Sequence, residues 1–539
     1  MAMEDSLVER ARNGDQAAFS ELVREHRSQM LGWANQVVHD SALAEDVVQE
    51  ALLSTLKHIG RLANPDKFLP WLRTIVRNQA LMAIRGQPRK RELAVGIELL
   101  EDQTRTESYA GAMDDPQLAA IGNLALNQVE KLLGRLGDRE RAVVRAYGMA
   151  GLSIQEVADE LGMKTGAVYT ALSRSRAKLA EARFEDEIDR YLGARRRGRK
   201  PKQAVVRHVR YYGSAAAYNT MASTMMLSIG ASGYHNISMK EIMGATGLAF
   251  RIQATPDLGI SGAYAFDWGI TARSGFERLG FVGAVLGGSG VRLDQPDELI
   301  ESMDMIVSCL EQGIPSIAWN VSNAEFGLIT GYDDQERSWS VMDTSSSGKK
   351  LPYTKLGRLY ADSEWFVAAP LRRHSTWITQ PVSGIFKDAA MHIRGGIPGD
   401  TVMAKKIPSV HGKEAYRLWI RSFAGQTAVS PLSVAYQAAV VAEARAYAAR
   451  YLDSLAESLP IRVLYSSTVP AIRHAAGLYS KIGEAWAELA RLFPLPYSAD
   501  PAAPGPADRS VRLLEQALTA ELEAAEALEE AADLLERKG

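Results

Sequence analysis

LSIQEVADELGMKTGAVYTALSRSRAKL, residues Leu152–Leu179, decides the reading of this chain. Val157, Ala158 and Leu161 recur at helical spacing up to Gly162, and a second helix is expected from near Thr165 with Val168 and Leu172 turned inward. The alanine lets two helices cross closely, the glycine permits a tight turn, and the β-branched valine locks the second helix onto the first. This is the pattern of a helix-turn-helix. Lys164 and Thr165 stand at the start of the second helix, and its outward face carries Tyr169, Thr170, Ser173, Arg174, Arg176 and Lys178. Hydroxyls and cations in that arrangement suit base edges and phosphates. The plainer alternative is an αα-hairpin with a solvated charged face.

Around this segment lie 539 residues, enough for about three to four domains. The 46% hydrophobic and 23% charged fractions exclude global disorder. Lys+Arg 62 against Asp+Glu 64 gives a net charge of -2, so a uniformly basic nucleic-acid coat is excluded and a basic patch is not. The single cysteine, Cys309, can form neither an internal disulfide nor a thiolate zinc site alone, which fits a reducing cytoplasm. The N-terminal residues MAMEDSLVERARNGD contain no apolar signal core, and no run approaches the roughly 18–20 apolar residues of a membrane span. A cytoplasmic protein without metal, cofactor or membrane partner is expected.

Upstream, AEDVVQEALLSTLKHIGRL (Ala44–Leu62) and KFLPWLRTIVRNQALMAIR (Lys67–Arg85) show helical periodicity. With the helix-turn-helix, and in the same order and spacing, they resemble the extracytoplasmic-function group of sigma-70 family bacterial sigma factors over about residues 5–185. The resemblance implies that Asp46, Gln49 and Glu50 dock on RNA polymerase core. It implies that Trp71, Arg73, Arg77, Asn78 and Arg85 recognise and melt the −10 element of promoter DNA, while the helix-turn-helix reads the −35 element. An aromatic flanked by arginines can stack on an unpaired base while neutralising phosphates. Trp71 also fits a core position, with Phe68 serving instead. Tyr169 and Ala171 replace the basic residues usual in this group's recognition helix, so promoter sequence does not transfer from relatives.

The remaining residues have a different texture. Ser238–x–x–Glu241 is a capping box opening a short helix, and Pro296 opens another reaching Cys309. Short strands are expected at Ile314–Trp319, Glu325–Tyr332 and Trp339–Asp343. The order Tyr218–Ile252, helix, then Gly313–Asp343 resembles the papain-like fold of bacteriocin-processing peptidases and butirosin-type acyltransferases. That fold needs a cysteine near the start of its first helix and a histidine before the Gly-Tyr-Asp turn. This chain offers Ser223 and Thr224 in the first helix and Glu325 at the histidine's position, so no catalytic residue is expected. Arg251, Trp319, Glu325, Tyr332, Asp333 and Asp343 are the expected lining of a ligand pocket in the old cleft. The alternative is that Asp333 caps a turn, Trp319 is core and Arg251 pairs structurally.

The expected architecture is multi-domain. Residues 1–90 form the sigma region-two domain, 91–123 a linker, 124–188 the region-four helix-turn-helix domain, and 189–206 a solvated basic tether containing GARRRGRKPK (Gly193–Lys202). An α+β, papain-like non-catalytic domain follows at 207–370 and an α-helical extension at 371–539. The terminal acidic helix (Glu515, Glu521, Glu523, Glu526, Glu529, Glu530) is expected to be mostly a solvated face, the alternative being that part of it screens the basic surfaces of the sigma half. The expected function is transcription initiation, with RNA polymerase core and promoter DNA as partners and a small-molecule or protein ligand regulating activity in cis through the C-terminal half. The alternatives are an acyltransferase or amidase using Ser223 or Cys309, and a protein-interaction scaffold.

Overall fold

The computed structural model describes residues 2–38, 41–61, 68–85, 130–207 apart from 150, 151 and 153, then 209 and 218–373 apart from 235, 345, 346, 361 and 362, and 382–537 apart from 397–407, 427–428 and 497–499. The expected linker 91–123 lies outside these residues. The chain divides into two compact units, Met1–Asp186 and Glu187–Gly539.

The first unit is helical. Helices α1 (Ala2–Arg12), α2 (Gln16–Val38), α3 (Ser41–His58) and α4 (Phe68–Arg85) enclose a core of Leu22, Met30, Val47, Val48, Leu72 and Val76. These apolar positions recur three or four residues apart, which gives each helix one inward stripe. A second core gathers Val143, Val157, Ala158, Val168 and Leu172 from α5 (Asp138–Val144), α6 (Ile154–Glu160) and α7 (Thr165–Arg197), with Leu133 from the segment before α5.

The second unit is built on an antiparallel sheet. Its strands are β1 (Gln203–Val205), β3 (Phe281–Gly287), β4 (Ser316–Trp319), β5 (Phe326–Asp333), β6 (Ser338–Met342), β7 (Ser347–Pro352) and β8 (Phe366–Arg373), in the order β3-β8-β4-β5-β6-β7 with β1 added to β5. A small ribbon joins β2 (Gln253–Ala254) to β9 (Val410–His411). One sheet face carries α8 (Thr220–Ala231), α9 (Met239–Ala245) and α10 (Trp268–Arg278). The capping box expected at Ser238 opens α9, its Glu241 carboxylate accepting the Ser238 backbone N–H at 2.7 Å. A smaller apolar cluster of Cys309, Ile314 and Ala369 lies beneath α11 (Pro296–Glu311), whose first position is the proline.

The C-terminal helices are α12 (Val382–Ile393), α13 (Lys413–Arg421), α14 (Pro431–Glu457), α15 (Leu459–Leu464), α16 (Val469–Leu492) and α17 (Pro504–Glu536). They do not form a separate extension. One continuous core runs from Met225, Phe326 and Phe366 in the sheet layer to Tyr451, Ile482 and Leu528 in the bundle. The acidic terminal helix is mostly solvated as expected, with Glu515, Glu523, Glu526 and Glu530 exposed and Glu529 half-buried. The exception is Glu521, which is wholly buried and paired with Arg445 of α14.

The basic run is likewise folded. Helix α7 extends to Arg197, a turn follows, and Gln203–Val205 pairs with Gly331–Asp333. Arg195 is only 9% exposed, held by partners more than a hundred residues away. Short-range composition carries no sign of those partners.

Candidate nucleic-acid and ligand sites

In the helix-turn-helix, Gly162 adopts φ 63°, the left-handed conformation that favours glycine, and so turns the chain between α6 and α7. Val157, Ala158, Val168 and Leu172 are buried, as their spacing requires. Lys164, Thr165, Tyr169, Thr170, Ser173 and Arg174 are exposed, with Tyr169 at 61%. Arg176 is half-buried. Lys178 already has a partner: its ammonium donates to Glu140 at 2.8 Å and holds that carboxyl below its usual range. It braces α7 against α5. Ala171 is buried, so its departure from a basic residue costs no base contact. A groove of about 560 Å³ runs beside these residues, lined by Arg139, Met163, Thr170, Arg174 and Lys178 among others.

In the four-helix block, Asp46, Gln49 and Glu50 are exposed on α3. Leu53 and Leu56, one and two turns further on, are also exposed, although a helix normally buries such side chains. The five form one stripe, acidic at one end and apolar at the other. Sequence reasoning missed the leucines because periodicity alone assigns Leu52 and Leu56 to the core. Trp71 is half-buried against Phe68, ring centroids 6.2 Å apart. Arg73 stacks over Trp33 and donates to Glu156 at 3.4 Å, while Arg77 lies 5.5 Å over the Tyr147 ring. The side chains of Asn78 and Arg85 lie outside the described residues.

The six expected pocket residues of the second unit do not converge. Glu325, Trp319 and Asp343 lie together. Tyr332 and Asp333 stand at the opposite end of the eight-residue β5, and Asp333 caps a turn by accepting the backbone N–H groups of Gln335 and Glu336. Arg251 lies elsewhere, over the Phe266 ring, its pKa lowered by burial to about 10. Nearby, His392 accepts the Ile252 N–H, and burial lowers His411 to about 4.

At the Glu325 end, Asn219 caps α8 by accepting the Ala222 N–H, and the Phe326 N–H donates to Thr220 Oγ1 at 3.3 Å. Thr344 donates to Glu325 Oε2 at 2.9 Å. Burial raises the Glu325 carboxyl, and Asp343 adds to the rise. Ser322 donates to Asp343. Trp319 packs in an aromatic cluster with Tyr264, Trp268 and Phe326, while the Tyr264 and Tyr436 hydroxyls share a hydrogen bond. Glu443, absent from the sequence expectations, accepts the Tyr218 and Asn219 N–H groups, and burial raises its pKa to about 7. Ser223 is buried inside α8, and the Cys309 thiol is buried in the last turn of α11 with its pKa raised to about 11. A thiol so held is a poor nucleophile. Among the described residues no group of three or more His, Cys, Asp or Glu is placed to hold a metal, and no helix is long and apolar enough to cross a membrane.

Glu443 gives a pH prediction. Between about pH 4.5 and 7 the folded chain keeps a proton on Glu443 that the unfolded chain releases. The stabilisation is full below that window and is lost as pH rises through it. Glu443→Gln keeps an acceptor and removes the charge. It is expected to melt above wild type at pH 8 and with it at pH 5; equal melting at both would show that the carboxylate is not strained.

Two helical blocks, one with a helix-turn-helix presenting hydroxyls and cations, define a DNA-binding transcription protein. The family descriptions Sigma-70 region 2 and Sigma-70 region 4 match residues 22–90 and 126–179. The chain is 32% identical over 183 residues to the RNA polymerase sigma factor CarQ of Myxococcus xanthus, covering 34% of this chain and 98% of that protein. It is 32% identical over 167 residues to the ECF RNA polymerase sigma factor SigM of Mycobacterium tuberculosis, covering 31% and 78%. A solved structure of CnrH in complex with the cytosolic domain of CnrY is 24% identical, covers 33% of this chain and 94% of that one, and has a TM-score of 0.17. The chain belongs to the ECF group of sigma-70 RNA polymerase sigma factors. It binds RNA polymerase and DNA to initiate transcription.

Proposed function

We propose that the second unit senses a ligand and sets the activity of the sigma half in cis. It is read as a papain-like domain whose chemistry has been replaced by binding. The observation that carries this is Glu325. It stands just before β5, beside the first turn of α8 and the end of β6, at the position where the papain-like resemblance calls for a histidine. A carboxylate there cannot form a thiolate–imidazolium pair, and the helix start carries Thr220 in place of a thiol. Glu325, Asp343 and Trp319, with Tyr264, Tyr436 and Glu443 beside them, suit a cationic, amine-bearing ligand. Arg251, Tyr332 and Asp333 leave the proposed pocket, which narrows it to one end of the sheet.

In the sigma half, the stripe Asp46, Gln49, Glu50, Leu53 and Leu56 is the proposed polymerase-docking face. Trp71, Arg73, Arg77, Asn78 and Arg85 are proposed for the −10 element, and Lys164, Thr165, Tyr169, Thr170, Ser173, Arg174 and Arg176 for the −35 element. Lys178 contributes by positioning α7. Arg73 and Arg77 reach promoter DNA only by leaving Glu156 and Tyr147, so opening of that contact belongs to the proposed cycle.

Deleting residues 204–539 is the direct test. Promoter-dependent transcription by the truncated and full chains, with and without cell extract, is expected to differ several-fold; equal activity in all four reactions rules out control in cis. Glu325→Gln in the full chain is expected to abolish the response to extract and leave the basal level intact.

A further inference from the structure

The basic run expected as a tether instead forms one wall of a cavity. The last turn of α7, the turn into β1 and the β5–β6 turn enclose about 680 Å³, lined by Arg195, Arg196, Arg199, Lys200, Lys202, Asp334 and Gln335. This volume lies within the range of small-molecule sites. Five of the seven lining residues are cations.

Of the five charges only that of Arg195 is met by carboxylates, those of Asp334 and Glu311. Arg195 forms the floor: its Nε donates to Asp334 Oδ2 at 3.1 Å, its Nη2 donates to Tyr332 Oη at 3.0 Å, and its guanidinium lies 5.1 Å over the Tyr332 ring. Asp334 is the one acid in the lining, and its other oxygen accepts the Tyr353 hydroxyl at 3.0 Å. Both of its oxygens are therefore engaged. Arg196, Arg199, Lys200 and Lys202 are exposed, and none makes an ion pair or side-chain hydrogen bond among the described residues. Arg199 also has φ 51°, a left-handed conformation that costs energy for a residue other than glycine. Local strain and mutual repulsion of four cations both oppose this arrangement, and a multivalent anion would offset the repulsion.

We propose that this cavity binds two or more adjoining phosphate groups. Lysine ammonium groups and arginine forks are the side chains suited to such groups, the arginines binding in bidentate fashion. The aromatic neighbours Tyr191 and Tyr332 are already stacked with Arg195, so recognition falls on phosphates and not on a base. The site is separate from the Glu325 cleft by the length of β5, roughly 25 Å at strand rise, and stands whether or not that cleft senses a ligand. The phosphates come from one of two sources, a free polyphosphate or nucleotide, or the backbone of duplex DNA.

Calorimetric titration of the full chain with inorganic triphosphate, and anisotropy with a 20-base-pair duplex lacking promoter elements (about two helical turns), separate the sources. Two variants, Arg199→Gln/Lys200→Gln and Lys202→Gln, are compared with wild type, with thermal melting as the check on folding. Saturable triphosphate binding that weakens at least tenfold in the double variant and less in Lys202→Gln supports the site and assigns it to a free polyphosphate. No triphosphate binding, but a matching loss of duplex affinity and a shallower salt dependence, supports it and assigns it to DNA. Triphosphate and duplex binding both unchanged in both variants would overturn the proposal.

Discussion

Arg445→Ala is expected to destabilise the second unit by about 3–5 kcal/mol, the usual consequence of removing one partner from a buried ion pair. Arg445 and Glu521 are both 0% exposed. Arg445 Nη1 also donates to the Ala249 and Arg251 carbonyl oxygens at 2.9 Å each, and Tyr416 donates to Glu521 at 3.0 Å. The substitution strands a carboxylate and two carbonyls in the core. For a unit of this size that corresponds to a melting temperature lower by roughly 4–7 °C. Arg445→Met with Glu521→Leu removes both charges and is expected to recover part of the loss, since the carbonyls remain without a donor. Thermal melting of the three chains checks this. A single substitution within 1 °C of wild type would mean that the pair is not the buried clamp described.

The second large effect is expected in the sigma half. Val168 is 0% exposed and packs with Val157, Ala158 and Leu172 in a small core. Val168→Asp places an unpaired carboxylate there, at a cost of several kcal/mol that so small a core cannot absorb. Transcription from a promoter used by the wild-type chain should fall at least a hundredfold, while capture of core polymerase through the proposed α3 face persists. Tyr169→Ala is the companion: being exposed, Tyr169 should affect which promoters are used and leave folding unchanged. Retention of more than half the activity in Val168→Asp would mean that α7 is not held to α6 as its packing indicates.

The sigma half was legible because its determinants are local. Apolar residues three and four apart marked the buried faces, and Gly162 marked the turn. The same reasoning failed where partners are distant. Arg195 reads as one cation in a solvated run, yet Asp334 and Tyr332 bury it. Glu521 reads as one acid in an exposed face, yet Arg445 meets it from another helix. The candidate pocket failed in part for a geometric reason. Glu325 and Tyr332 are close in sequence, but an extended strand carries them to opposite ends of the sheet, whereas a helix would have kept them within two turns.

The pairing of Arg445 with Glu521 has a consequence during synthesis. A ribosome adding roughly 5–20 residues per second finishes the sigma half roughly half a minute before Glu521 emerges. Until then the nascent second unit carries an unmatched guanidinium at the centre of its future core. The sigma half can therefore fold while the remainder is still open to chaperones and proteases. A chain that terminates before α17 would carry a finished promoter reader joined to an unfinished, protease-sensitive partner, so that intact second units mark completed molecules.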